Sequence, residues 1–265
     1  MTDLSIFLIN LDASPDRLAA ATDAMAAQGT SFTRVSGYDG RKTNPLDVPE
    51  YDAAAMRAYF GRDMNGGEVG CCFSHIRALQ AFVESGKPYG LIFEDDVSPA
   101  PQAMELTRAL IEWQNERGTP DWYVANLGAE RSKILSPVTT LRANGSEVVL
   151  YRGHYFPMLA TALLWTREGA CAFLEIALPL NCPYDNFLRR WLTANDMGLT
   201  TRPPLFRTTG ADSDIDKSHT AKRRGTEGRS KNYGWLKAKR MWGDKFRALG
   251  HKSRRKFGLK GKTNR

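Results

Sequence analysis

The chain has 265 residues, 42% of them hydrophobic and 25% charged. That is the composition of a globular protein with length for one large domain or two small ones. No apolar run approaches the ~18 residues that cross a bilayer, and the N-terminus lacks the basic start and longer apolar core of a secretory signal. The net charge of +8 conceals two parts: residues 221–265 hold 17 Lys and Arg against two acids, a net +15, which leaves −7 for the rest.

Residues 4–9 form an apolar, β-rich run followed by Asn10 and Asp12. A helix is predicted from Pro15, with Ser14 as its N-cap, through Arg17 to about Gln28, where Gly29 ends it. A second short strand over 32–35 leads to Tyr38 and Asp39. Strand, helix and strand in this order imply a parallel pair with a right-handed crossover, and in such sheets ligands sit beyond the C-terminal strand ends. Asn10 and Arg17 follow the first strand, Tyr38 and Asp39 the second. Taken singly, Arg17 reads as a surface helix residue and Asp39 as a turn former. Neither a Gly-x-Gly-x-x-Gly turn nor a P-loop is present, which argues against dinucleotide oxidoreductases and P-loop NTPases.

Residues 41–65 read as irregular, with a short helical piece near 51–60. The loop Asp63-Met64-Asn65-Gly66-Gly67 then delivers the chain to a helix over 68–85. Free amides at that helix start favour an anion. Ser74 and His75 lie well inside the helix, and neighbouring helical residues point apart, so they do not form a hydrolase pair. Cys71 and Cys72 are in the same helix. With Cys171 and Cys182 they fit no zinc spacing and read as reduced thiols.

Leu91-Ile92-Phe93 is a buried-strand run that enters Glu94-Asp95-Asp96. Strand alternation places Glu94 and Asp96 on one side and Asp95 on the other. Two carboxylates on one side suit a hard cation, Mg²⁺ or Mn²⁺, and that cation would clamp a diphosphate. The plainer alternative is a solvated acidic loop. Taken together, three strand ends offer a cation, a ring for base stacking and a metal site, a combination suited to a nucleoside diphosphate.

A helix over 102–116, a strand over 122–127, strands over 148–152 and 159–165, and a helix from Thr166 follow. His154 and Tyr155 fall between the two later strands. Asp185, in Tyr184-Asp185-Asn186, precedes a helical pattern over 187–191 and is an N-cap candidate. Residues 199–216 read as extended and loop-like, with Asp214, Asp216 and His219 as weak further ligands. In the tail, Trp235, Ala238, Trp242, Phe246 and Leu249 recur at threes and fours among Lys and Arg. A basic amphipathic helix carrying Trp and Phe suits an anionic membrane surface. Nucleic acid and a disordered solubilising tail are the rival readings.

The run GGEVGCCFSHIRAL…YGLIFEDDV at 66–97 resembles the signature of glycosyltransferase family 25, the lipooligosaccharide-type galactosyltransferases. Patchier likeness extends over about 4–216. The resemblance implies a GT-A-like α/β fold with a mostly parallel central sheet over 1–220, followed by a basic tail over 221–265. It implies a UDP-sugar donor, with UDP-galactose first. Asn10, Arg17, Tyr38, Asp39, Glu68, Ser74, His75 and Asp95 are then donor-binding candidates, and Glu94 and Asp96 the ligands of Mn²⁺ or Mg²⁺. Inverting sugar transfer needs a carboxylate to accept the acceptor's proton, and Asp185 ranks first for that role. The acceptor is expected to be a glycolipid or oligosaccharide such as a lipooligosaccharide. The expected location is cytoplasmic, peripheral at the inner membrane face through 222–260, and no nucleic-acid partner is expected. The family tends to place a His-aromatic pair near the acceptor side, where His154 and Tyr155 would stand. The alternatives are a basic-tailed module that binds nucleic acid or acidic glycan, and a metal-dependent phosphohydrolase.

Overall fold

A computed structural model of the chain describes residues 3–210 and 228–257. Asp214, Asp216 and His219 lie outside the described residues. The order of elements begins β1 (Leu4–Asn10), α1 (Pro15–Ala26), β2 (Thr33–Ser36), α2 (Ala53–Phe60), α3 (Gly66–Glu84), β3 (Tyr89–Glu94), β4 (Val97–Pro99) and α4 (Ala103–Asn115). It continues with β5 (Val124–Asn126), β6 (Lys133–Ala143), β7 (Ser146–Tyr155), β8 (Ala162–Thr166), α5 (Arg167–Leu174), α6 (Tyr184–Asn195), β9 (Gly198–Arg202), β10 (Phe206–Thr208) and α7 (Tyr233–Lys256).

Eight strands form one sheet in the order β2-β1-β3-β8-β5-β9-β7-β6. The β1 strand pairs in parallel with both β2 and β3, as the β-α-β reading requires. The sheet as a whole is mixed. β8 runs antiparallel to β3 and β5, and β7 antiparallel to β9 and β6, so only β7 and β8 oppose the common direction. A separate antiparallel pair, β4 with β10, extends the chain beyond the acidic triplet.

Alternation along the central strands builds two apolar layers. Phe7, Ile92, Leu163 and Trp165 face one way, into a cluster with Val69, Ile76 and Phe82 of α3 and with α5 and α6. Leu8, Leu91, Phe93 and Leu164 face the other, into a cluster with Met25 of α1 and Leu106 and Leu110 of α4. The fold is therefore a sheet covered on both faces, and β1 and β3 are buried from both sides. That explains their near-continuous apolar sequences.

One element was misplaced by pattern alone. The stretch 133–155 is a long hairpin whose turn is Asn144-Gly145, both at positive φ (46° and 79°). His154 thus lies within β7, not in a loop. The basic segment is a 24-residue helix, α7, packed on α2, α6, β6 and β7.

Candidate active site

The C-terminal ends of β1, β2 and β3 open into one cleft that also meets α3. Asn10, Arg17, Tyr38, Asp39, Ser74, His75 and all three acids of the triplet line it. Sequence reasoning missed Cys71 and Arg41, which line it as well.

The helix facing the cleft starts with a capping box. Asn65 Oδ1 accepts from Glu68 N at 2.8 Å, and the Glu68 carboxylate accepts from Asn65 N at 2.9 Å. Arg62 takes the rest of that carboxylate, at 2.5 and 2.8 Å. Glu68 is therefore engaged in holding the start of α3 and is not among the cleft-lining residues, which corrects its reading as a donor ligand.

The glycines of the signature serve packing. A Cβ on Gly40 would lie 1.8 Å from Gly66 O, one on Gly66 2.0 Å from Gly40 O, and one on Gly70 2.6 Å from Tyr38 O. The loop after β2 thus lies backbone to backbone on the first turns of α3. Ser74 completes the join: its hydroxyl accepts from Tyr38 N at 2.8 Å and donates to Gly70 O at 2.6 Å. The outcome is to fix the Tyr38 ring, which contacts Phe73 at 5.3 Å and lies under the Arg77 guanidinium at 5.5 Å. Gly40→Ala forces these backbones apart. The expected result is a loss of about 1–3 kcal/mol, read as a lower Tm, together with weaker nucleotide binding.

The acidic triplet departs from the alternation rule. β3 ends at Glu94, and Asp95 and Asp96 form a turn before β4. Asp95 consequently turns into the cleft wall instead of away from it. Its Oδ2 accepts from Asn10 Nδ2 at 2.7 Å and its Oδ1 pairs with Arg17 at 2.6 Å. Asn10 is itself saturated, since Nδ2 also donates to Ser14 O and Oδ1 accepts from Arg34 Nε. The Asn10–Asp95–Arg17 set is a brace that joins β1, α1 and the triplet. Asp39, on the cleft rim, is held by the Arg41 guanidinium and backbone amide, and these bonds lower its pKa.

Asp96 carries no such partner. Its Oδ1 is buried without a hydrogen bond among the described residues. Burial and the nearby Glu94 charge push its pKa up to about 6. Asp185, in the first turn of α6, joins from a distant part of the sequence. It is not the N-cap, a position Pro183 occupies. Burial raises its pKa to about 6, and the Glu94 charge adds to the rise while His75 opposes it. Its Oδ2 accepts from Leu159 N at 3.3 Å. Leu159 sits at φ 92°, a conformation rare for a non-glycine residue, and Asn126 holds its carbonyl at 2.7 Å.

His75 adjoins Glu94. Nε2 is 3.3 Å from Glu94 Oε1, and the ring stacks on Tyr184 at 3.9 Å and 13°. Cys71, His75 and Glu94 offer ligand atoms within 4.8 Å of one another. Burial holds the Cys71 thiol protonated, its pKa well above the ordinary value, which favours the carboxylates over sulfur for a hard cation. His154, by contrast, is remote in role: fully buried, it contacts Asp196 at 2.7 Å and Ser136 at 2.9 Å. It belongs to the sheet interior and not to an acceptor surface.

Known proteins are similar to this chain in sequence. The model of "Glycosyltransferase family 25 (LPS biosynthesis protein)" matches residues 3–188. Procollagen galactosyltransferase 2 of Mus musculus is 24% identical over 136 residues, 50% of this chain and 22% of that protein. Inactive glycosyltransferase 25 family member 3 of Homo sapiens is 27% identical over 189 residues, 69% of this chain and 31% of that protein. The chain thus spans less than a third of the length of these relatives. A crystal structure of a glycosyltransferase involved in glycosylation of the major capsid of PBCV-1 aligns with 83% of this chain and 98% of its own at 13% identity, with a TM-score of 0.37. The family match takes in β1 through the first turn of α6, and with them every residue of the cleft described above; the chain belongs to glycosyltransferase family 25.

Proposed function

We propose that the chain is an inverting, metal-assisted glycosyltransferase of GT-A type that moves a sugar from a UDP donor to a hydroxyl of a surface-glycan acceptor. Galactose is the first candidate sugar, on the strength of the relatives' names. The observation that carries the proposal is a cleft at one end of the sheet lined by Glu94 and Asp96, with the buried Asp185 carboxyl near enough for the Glu94 charge to act on it.

The parts divide by chemistry. Tyr38 offers a ring for the uracil, and Arg17 and Arg41 place positive charge on the cleft wall. Glu94 and Asp96 suit a divalent cation, since Asp96 has an unpartnered buried oxygen and its ionised form is penalised until a cation arrives. Such a cation, when bound, offsets the charge that develops on the departing diphosphate. Asp185 then takes the proton of the acceptor hydroxyl as its oxygen bonds to the anomeric carbon and the bond to UDP breaks, which inverts that centre. A carboxylate with a pKa near 6 is ionised at neutral pH yet basic enough for the task. The Asn10–Asp95–Arg17 brace positions the triplet and needs no direct part in the chemistry.

Calorimetric titration of UDP with and without Mn²⁺ tests the reading. The expected result is binding that tightens about tenfold or more with the metal, followed by turnover in a screen of UDP-sugars. Metal-independent phosphate release with no need for an acceptor would instead indicate a phosphohydrolase. Failure to bind UDP under any condition would remove the transferase proposal.

A further inference from the structure

We infer that α7 is an interfacial anchor that docks the protein on an anionic lipid surface. An amphipathic helix at the surface of a globular protein normally turns its apolar stripe inward. Here the stripe is turned outward. Trp235, Trp242, Phe246, Leu249 and Phe257 are 62%, 55%, 66%, 50% and 72% exposed. Their spacings of seven, four, three and eight residues place them on one helical face. These are the most exposed large apolar side chains of the described residues apart from Leu46.

The opposite face does the packing, and it does so with polar groups. Arg240, Asp244 and Ala248, at successive i+4 positions, are the buried residues of α7. Arg240 donates to Tyr59 O and covers the Phe60 ring at 4.1 Å. Arg255 binds Asp196 at 2.5 Å and Asp121 at 3.1 Å, and His251 reaches Ala194 O at 3.1 Å. With these contacts the helix is fixed in an orientation that keeps its aromatics in water, which is unfavourable unless another apolar phase receives them.

Charge identifies that phase. From Tyr233 to Lys256 the helix has nine Lys and Arg and one acid. The acid, Asp244, is buried. Lys239 stands over the Trp235 ring at 5.0 Å and Lys245 over Trp242 at 4.5 Å. Indole rings under lysines, on a helix with no outward acid, match the boundary between acyl chains and anionic headgroups. A nucleic acid would meet the cations but leave the Phe246, Leu249 and Phe257 side chains without an apolar partner. No helix among the described residues is long and apolar enough to cross a membrane, so the contact is one of lying on the surface. α7 packs through that polar face on α6, whose first turn carries Asp185, so the anchor is joined to the helix bearing the proposed base.

Co-sedimentation of the full chain with vesicles of phosphatidylglycerol and phosphatidylethanolamine, and with phosphatidylcholine vesicles, tests this. Binding should be confined to the anionic vesicles and should weaken at high salt. The triple variant Trp235→Ser/Trp242→Ser/Phe246→Ser should partition roughly a hundredfold more weakly with an unchanged Tm, because those side chains already face water. Its UDP binding should equal that of the parent, so the result stands apart from the sugar-transfer reading. Unchanged vesicle binding by the triple variant overturns the inference. So does equal binding to both vesicle types, or a parent protein that ignores vesicles and binds single-stranded RNA or self-associates through this face.

Discussion

Asp185→Asn should retain UDP and metal binding and lose transfer by about 10²–10⁴-fold. The amide keeps the shape of the carboxylate and still accepts from Leu159 N, so the loop at Leu159 stays in place. What disappears is the ability to take a proton. In the parent, kcat/KM should fall as pH drops through about 6, where burial and the Glu94 charge set the carboxyl. A bound cation offsets the Glu94 charge, so saturating metal should move that midpoint lower. The variant should show no such limb.

Stability moves in the opposite sense. The folded-state pKa of Asp185 lies above its ordinary value of 3.8. Its contribution to stability is therefore full below that ordinary value and is lost as pH rises through about 6. Asn, which never ionises, should make the variant at least as stable as the parent above that pH, measured as Tm. A variant that is inactive but also less stable throughout would point to a structural role for Asp185. A near-normal rate would assign the base to another group.

The location of the site was legible because its carriers are local patterns. An apolar strand that runs into acids, and a strand-helix-strand opening that sets ligand-facing ends, are read within a dozen residues. What failed depended on one residue of register or on distant contacts. Asp95 was placed on the wrong side because the strand stops one residue before it, and only the Asn10 and Arg17 contacts reveal where it turns. Glu68 carries a signal that pattern reading passes over, since Asn-x-x-Glu at 65–68 is a capping box. Asn144-Gly145 likewise announces a hairpin, and with it the position of His154 inside a strand. The glycines of the signature suggested phosphate contact. The interlock of Gly40 with Gly66 and Gly70 is not visible in sequence, because the partner loop is some thirty residues away. The stripe of α7 was legible and its side chains are exposed, but the packing of the opposite face on α2 and α6 was not. Periodicity says which residues share a face and is silent on whether that face meets the protein.

Most of the residues nominated for the donor turn out to hold one another. Ser74 fixes the Tyr38 loop, and Asn10 and Arg17 fix Asp95. The carboxylates left with reactive potential are Glu94, Asp96 and Asp185. The Glu94 charge makes both Asp96 and Asp185 harder to ionise, a condition that a cation relieves. A brace around a set of repelling acids is stable only if folding elsewhere offsets the repulsion, as is usual where charge is stored for a ligand.

The second large effect should come from Asp96→Ala. It removes a buried carboxylate whose Oδ1 has no hydrogen bond among the described residues, so without metal the variant should melt no lower than the parent above pH 6. With metal the two should separate. Mn²⁺ at about a hundred times its Kd adds roughly 2.7 kcal/mol to a protein that binds it only when folded, and this gain, seen as a rise in Tm, should vanish in the variant. Metal-dependent tightening of UDP and sugar turnover should vanish with it. Cys71→Ser separates the oxygen site from the neighbouring Cys71–His75–Glu94 set. Its Mn²⁺ response should match the parent's, because a hard cation draws on Glu94 and Asp96 and not on a protonated thiol. If Asp96→Ala keeps its Mn²⁺ response while Cys71→Ser loses it, the cation belongs to the cysteine-histidine set, and the role assigned to Asp96 is wrong.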